Sequence, residues 1–251
     1  GCSGTAERDI VGAAKLSGGT RLGVAGHDGG QAYLNIDGAG TVVTVGGGFA
    51  VGASNSHGEV VLANSAQLAT TDAVSIGAYA GGSGIMTVNN GTWNSTGMVS
   101  VGAYGDATGA LSILNGSTVT VNGGVLVAVN TNDVGTLSVD GVGTSLTASN
   151  GLGIGLEGTG QGTITNGSYV DAGSGLFLGL KAGGTLSVTG GSQLLSQQTS
   201  LGGTATGNGE IIVSGAGTLW NNTGVLNIGQ YGTGKLTVSG GAALVSADDA
   251  F

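Results

Sequence analysis

The sequence predicts an all-β fold, a right-handed parallel β-helix (β-solenoid) of about nine coils with three short strands each. Three observations predict it. A pattern of roughly 25 residues recurs along the chain, apolar residues stand two positions apart within it, and glycine or asparagine occupies one fixed point of each copy. A repeat of this length is typical of a solenoid, and apolar residues two apart are typical of a strand with one buried face.

The first strand of each coil is marked by an apolar column at intervals of 24 to 26 residues. Its nine members are Ile36, Leu62, Val88, Ile113, Val139, Ile164, Val188, Val213 and Val238. All nine are aliphatic, which indicates an inward-facing position that stacks on itself from coil to coil.

A corner follows two residues after each member of this column. The residues there are Gly38, Asn64, Asn90, Asn115, Gly141, Asn166, Gly190, Gly215 and Gly240. Glycine and asparagine accept positive φ more readily than other residues. The chain is therefore predicted to turn the same corner in every coil by the same backbone conformation.

Two more strands complete each coil. The second strand is marked by another apolar column, Val43, Leu68, Trp93, Val119, Leu146, Val170, Leu194, Trp220 and Leu244. The third strand is marked by two apolar residues two positions apart, usually followed by glycine, as in Val74–Gly77, Val99–Gly102, Leu152–Gly155 and Leu226–Gly229. Because the two tryptophans replace Val or Leu in their column, core packing is favoured for them over carbohydrate stacking.

The repeat pattern divides the chain into residues 1–20, expected to form an N-terminal cap or a degraded coil, and residues 21–251, the β-helix repeat domain. The first residue is glycine rather than methionine, which suggests a processed product or a segment of a longer protein. An open β-helix end exposes unpaired backbone. We therefore expect the end beyond Leu244 to continue, to be capped, or to stack on another copy.

Composition restricts the possible partners. The net charge is −9 with five basic residues, which argues against nucleic acid because phosphate binding needs clustered Lys and Arg. The single cysteine, Cys2, permits no internal disulfide; a reactive thiol or lipid attachment point is the less favoured reading. Proline is absent, as suits strands whose N–H groups are all needed in ladders.

The residues do not predict an enzyme. A polysaccharide lyase or hydrolase on a β-helix needs clustered carboxylates, whereas the acids here are scattered: Asp72, Asp106, Asp133, Glu157 and Glu210 fall near different corners. A triad could be drawn from His27, Asp28, His57, Ser54 and Ser56, but no G-x-S-x-G elbow accompanies it. Exposed loop residues are the better interpretation.

Other ligand motifs are also weak. A calcium β-roll repeats its aspartate every nine residues, and the segments Gly26–Gly30 and Gly105-Asp106 do not have this period. The glycine-rich segment Gly151–Gly155 is not followed by a predicted helix, which a nucleotide-binding loop needs to bind phosphate. The Thr-x-Thr pairs that an ice-binding array would need, at Thr118, Thr163 and Thr204, do not share a column. We predict no catalytic residue, cofactor or metal.

Three tyrosines form the candidate exposed aromatic set. Tyr79, Tyr104 and Tyr231 each stand two residues after the glycine of a third strand. Solvated corner residues remain the simpler interpretation, since Tyr79 and Tyr104 lie in adjacent coils and could simply stack on each other.

The runs Gly217–Gly241, Gly109–Ser117 and Gly184–Gly191 resemble the passenger repeats of bacterial autotransporter adhesins, and the resemblance extends over about residues 20 to 245. It implies export and display as an extracellular stalk or adhesin at the bacterial surface. Membrane association is expected only through a missing anchor or barrel domain.

Two functional hypotheses follow, together with the less favoured polysaccharide-degrading enzyme. The leading one is a secreted, non-enzymatic structural or adhesive stalk that contacts a host or surface glycan or protein. The alternative is a subunit of an extracellular filament that polymerises end to end through open coils, since heterologous contacts that do not close produce filaments.

Overall fold

The computed structural model describes residues 4–19 and 21–247. In this part of the chain the strands, numbered β1 to β29 in chain order, form three parallel sheets of ten, ten and nine strands. The chain visits the three sheets in turn and then begins the next turn. This confirms the predicted all-β parallel solenoid. No helix long and apolar enough to cross a bilayer occurs among these residues.

The first sheet contains β1 (Thr5–Val11), β4 (Gln31–Asp37), β7 (His57–Ala63), β10 (Ser83–Asn89), β13 (Thr108–Leu114), β16 (Val134–Asp140), β19 (Thr159–Thr165), β22 (Gly183–Thr189), β25 (Asn208–Ser214) and β28 (Thr233–Ser239). The second sheet contains β2 (Lys15–Gly18), β5 (Val42–Val45), β8 (Gln67–Thr70), β11 (Thr92–Ser95), β14 (Thr118–Val121), β17 (Ser145–Ala148), β20 (Tyr169–Asp171), β23 (Gln193–Ser196), β26 (Leu219–Asn222) and β29 (Ala243–Ser246). The third sheet contains β3 (Arg21–Val24), β6 (Gly48–Ala53), β9 (Val74–Ala78), β12 (Val99–Ala103), β15 (Val125–Val127), β18 (Leu152–Ile154), β21 (Leu176–Leu178), β24 (Thr199–Leu201) and β27 (Leu226–Ile228).

The solenoid has about ten turns, one more than the nine repeats counted in the sequence. The additional turn is β1 to β3, in which Ile10 pairs with Ile36 and Leu16 pairs with Val43. Its first strand has Arg8 where the next strand has Leu34. This charged residue breaks the apolar pattern and hides the turn from a search for repeats.

The predicted columns stack as expected. Each member of the first apolar column pairs with the next, from Ile36 with Leu62 to Val213 with Val238. The first eight members are fully buried, whereas Val238 in the last turn is 40% exposed. The interior is therefore continuous along the axis and is covered at each level by the turn above.

Both tryptophans belong to this interior, as predicted. Trp93 and Trp220 are fully buried. The Trp93 indole N–H donates to Thr70 Oγ1 at 3.1 Å, and the Trp220 indole N–H donates to Ser196 Oγ at 3.0 Å. Each tryptophan thus satisfies its single donor inside the core.

The corner residues adopt the predicted conformation. All nine residues from Gly38 to Gly240 in that column have φ between 53° and 101°. The asparagines also link turns, since the Asn64 side chain donates to Asp37 Oδ1 and the Asn115 side chain donates to Asn89 Oδ1. One backbone conformation therefore sets the corner throughout the rod.

Candidate functional site

Although His27 and Ser54 line the same cleft, no hydrogen bond among the described residues links a Ser, a His and an Asp of the conceivable triad. The Ser56 hydroxyl is buried and bonds the backbone of Ala53 in its own corner and the carbonyl of Ala25 on the preceding turn. His57 Nδ1 lies 3.1 Å from Ser83 Oγ on the next turn, and Asp28 Oδ1 accepts a bond of 3.4 Å from the Asn55 side chain. None of these bonds joins two members of the triad.

Of the scattered acids, Glu157 and Glu210 pair with Lys181 and Lys235 on the next turn, and Asp133 accepts hydrogen bonds from backbone N–H groups of its own turn and the preceding one. Asp72 accepts a hydrogen bond from the N–H of its neighbour Ala73. Two further acids, Asp37 and Asp140, accept hydrogen bonds from asparagine side chains on the next turn, Asn64 and Asn166. Among the described residues, no three His, Cys, Asp or Glu side chains gather as metal ligands would. Cys2 lies outside the described residues.

The outer face of the first sheet is acidic near its N-terminal end. Burial and the nearby carboxylates of Glu59, Asp9 and Glu7 raise the pKa of Tyr33 above its usual value of 10.0. Tyr33 lies between Glu7 and Glu59 in the sheet register. This face therefore presents negative charge to the solvent.

The outer face of the third sheet is different, because its outward positions from β6 to β27 hold no charged residue. Strand alternation places small side chains there in the early turns, Ala50, Ser75 and Ser100, and larger apolar ones, Leu126 and Phe177, further along. Arg21 stands at the N-terminal edge of this face and pairs in register with Gly48.

Tyr79 and Tyr104 border this small-residue face. Their rings stack with centroids 5.0 Å apart and planes inclined by 21°, as the simpler interpretation of the tyrosines anticipated. The side chains are nevertheless 46% and 47% exposed. Both residues have positive φ, 60° and 75°, which is a rare conformation for a bulky side chain.

A cleft of about 550 Å³ opens beside Tyr79. We call it the tyrosine cleft; the residues that define it are Arg21, Gly23, His27, Ala50, Ser54 and Tyr79. A smaller hollow of about 120 Å³ continues from it between Arg21, Ser75, Tyr79 and Tyr104. Both lie against the uncharged outer face of the third sheet.

The third predicted tyrosine is not part of the cleft. Tyr231 follows β27, five turns beyond Tyr104, and is 70% exposed. The sequence did not predict that Arg21 lies near Tyr79, because 58 residues separate them in the chain. In addition, the turn from β3 to β6 is longer than the common repeat, since Arg21 pairs with Gly48. The register of β3, β6 and β9 brings them together.

The other weak motifs lie in ordinary solenoid positions. Gly151–Gly155 contains strand β18, as its interpretation as a corner-flanked strand predicted. Thr118 lies in the second sheet, Thr163 in the first, and Thr204 in the loop between β24 and β25. These threonines therefore form no common array.

Comparisons with known proteins add little to these observations. No family model matches the chain, and no curated protein matches it. One solved structure, described as a TibC-catalysed hyper-glycosylated TibA fragment, is 17% identical over 97% of this chain and 100% of that chain, with a TM-score of 0.25. A likeness at that level carries no argument, so the β-solenoid fold rests on the ladders of the chain itself.

Proposed function

We propose that this chain is a secreted, non-enzymatic β-solenoid that serves as a stalk or adhesin at the bacterial cell surface. The observation that carries the proposal is the unbroken stacking of three parallel sheets along one axis. Each inner turn is hydrogen-bonded to both neighbours on three sides, so bending the rod would strain several ladders at once. The likeness of its repeats to autotransporter adhesin passengers supports display outside the cell.

The placement of the polar groups also supports a structural role. The corner asparagines and aspartates bond across turns, and no fully buried side-chain nitrogen or oxygen in the described part of the chain lacks a hydrogen-bond partner. These bonds hold neighbouring turns together. Stability therefore depends on turn-to-turn contacts, as in other solenoids.

The filament alternative receives less support from the described ends. Leu236 and Leu244 in the last turn are half-buried core residues on which another turn could stack. Arg8, however, is exposed in the first turn and occupies the column that is interior in the following turns. Stacking a further apolar turn on it would bury an unpaired guanidinium, which costs several kcal/mol.

Negative-stain electron microscopy over a concentration series, with a pectin-cleavage assay on the same sample, tests the proposal. Ten turns at about 4.8 Å each give a rod of roughly 45 Å. We expect short rods whose length does not change with concentration, and no release of reducing ends from pectin. Long fibres would support the filament, and polysaccharide turnover would overturn both structural hypotheses.

A further inference from the structure

We propose that the tyrosine cleft binds a neutral pyranose unit of a glycan, with Tyr79 as the stacking platform. The proposal rests on the adhesive function proposed above and assigns that function a ligand class and a site. Three features of the cleft support it: one free ring face, convergent polar groups and charge.

The backbone at Tyr79 and Tyr104 is strained in a way that glycine would relieve. A non-glycine residue in the left-handed region costs about 1 to 2 kcal/mol. The conformation is held by hydrogen bonds from Tyr79 N–H to the Ala103 carbonyl at 2.9 Å and from Tyr104 N–H to Asn130 Oδ1 at 2.8 Å. Since neither ring is buried in the core, core packing does not offset the strain. Ser54, at the equivalent corner of the preceding turn, also has positive φ, 50°, so the conformation belongs to the corner and the proposal rests on the other features of the cleft.

The stacking leaves one face of Tyr79 available. Tyr104, on the following turn, covers one face of the Tyr79 ring. The cleft lies toward the preceding turn, where Ser54 holds the corner position equivalent to that of Tyr79. A tyrosine combines an apolar ring face with a polar hydroxyl, and the C–H face of a pyranose is complementary to such a ring.

The remaining walls suit a ligand rich in hydroxyl groups. The Arg21 guanidinium offers five N–H donors, the Ser54 hydroxyl can donate or accept, and the His27 imidazole can do either according to its tautomer. Gly23 and Ala50 form a floor of small residues. The cleft volume of about 550 Å³ lies within the usual range of small-ligand sites.

Charge favours a neutral glycan over a polyanionic one. The net charge of the chain is −9, and Arg21 is the single Lys or Arg that lines the cleft. Long-range repulsion therefore opposes an acidic polysaccharide, while one guanidinium at short range can still donate hydrogen bonds to hydroxyl or ring oxygens.

Saturation-transfer difference NMR on the full chain tests this assignment with cellotetraose, chitotetraose and mannotetraose as neutral probes and tetragalacturonate as the acidic one. We expect transfer to at least one neutral probe and a weaker response from tetragalacturonate. Tyr79→Gly should weaken binding of that probe at least tenfold without lowering the melting temperature, because glycine tolerates the positive φ. Arg21→Gln should weaken it severalfold, and Tyr231→Ala, outside the cleft, should bind as the unchanged chain does.

The proposal is overturned if no neutral probe shows transfer, if tetragalacturonate binds best, or if Tyr79→Gly binds as tightly as the unchanged chain. Electron microscopy of the same samples separates this failure from that of the rod. Intact rods without glycan binding would refute the cleft alone, whereas a sample without rods would refute the proposed stalk.

Discussion

Asp133 is a fully buried carboxylate that joins the corners of two successive turns. Its Oδ1 accepts hydrogen bonds of 3.0 Å from the N–H groups of Gly105 and Ala107, and its Oδ2 accepts one of 2.8 Å from the N–H of Asn130. The sequence marks this residue only as one acid among several near corners. Two of its three donors, the N–H groups of Gly105 and Ala107, come from the preceding turn and depend on the packing of one turn on the next.

Replacing Asp133 with alanine should destabilise the protein by about 3 kcal/mol or more, because three backbone donors lose their acceptor at about 1 to 3 kcal/mol per buried group. Chemical denaturation measures the change. Asp28→Ala is the control, since Asp28 is exposed and its bond to Asn55 is long. Equal effects of the two substitutions would show that Asp133 does not hold the corner.

Gly77 shows why the third strands end in glycine. Its φ is 69°, and a Cβ added there would lie 1.9 Å from the carbonyl oxygen of Thr108. Gly105 also has positive φ, 91°, but a Cβ there would meet nothing within 4 Å. The two positions thus separate the cost of a steric clash from the cost of the backbone conformation alone.

Gly77→Ala should therefore lower the free energy of unfolding clearly more than Gly105→Ala does. At Gly105 the substitution costs only the left-handed backbone conformation, about 1 kcal/mol. Thermal and urea denaturation of both variants measure the difference. A Gly77→Ala protein as stable as Gly105→Ala would mean that the corner relaxes without loss.

At the scale of an element, each strand contributes one buried face to a stack that continues through the rod. Ile113 in β13 is fully buried and lies between Val88 and Val139 in the register. Ser112, its neighbour in the same strand, points outward between Thr87 and Ser138. Adjacent residues of one strand therefore have opposite tolerance for charge.

Ile113→Asp should destabilise the central turns by about 4 kcal/mol or more, since it buries an unpaired charge in an apolar stack. Ser112→Asp should change stability by only about 0.5 kcal/mol, as is usual for surface sites. Circular dichroism melting curves distinguish the two variants. An unchanged melting temperature for Ile113→Asp would contradict its inward assignment.

At the scale of the whole molecule, the two described ends of the rod differ. The last turn leaves the core residues Leu236 and Val238 partly exposed. The first turn instead holds Arg8 in the column occupied by Leu34 and Val60 in the next two turns. A charge in a column that is otherwise apolar disfavours edge-to-edge association at the open edge of β1.

Arg8→Leu should accordingly promote end-to-end association. Burial of a leucine side chain contributes about 1.5 to 3 kcal/mol, equivalent to roughly a tenfold to hundredfold rise in the association constant. Sedimentation velocity over a concentration series measures it. Glu7→Leu adds the same side chain to the outer face of β1 and should leave the protein monomeric; matching behaviour of the two variants would exclude a specific role for Arg8.

The sequence by itself determined the repeat, the strand faces and the corner conformation, because the inward columns and the Gly or Asn corners are local requirements repeated in each turn. It also placed Trp93 and Trp220 in the core, since they replace aliphatic residues in an apolar column. For residues 1–20 the sequence predicts only a cap or a degraded coil, because Arg8 interrupts the pattern that defines the other turns.

Only the tertiary structure decided which side chains meet between turns. The cleft joins Arg21 and His27 of the first turn, Ala50 and Ser54 of the second and Tyr79 of the third, and the buried role of Asp133 requires the turn before it. Repeat lengths vary from 24 to 26 residues along the first column, so spacing alone does not fix these neighbours. The ladder register fixes them, because hydrogen bonding aligns the strands while the loops absorb the differences in length.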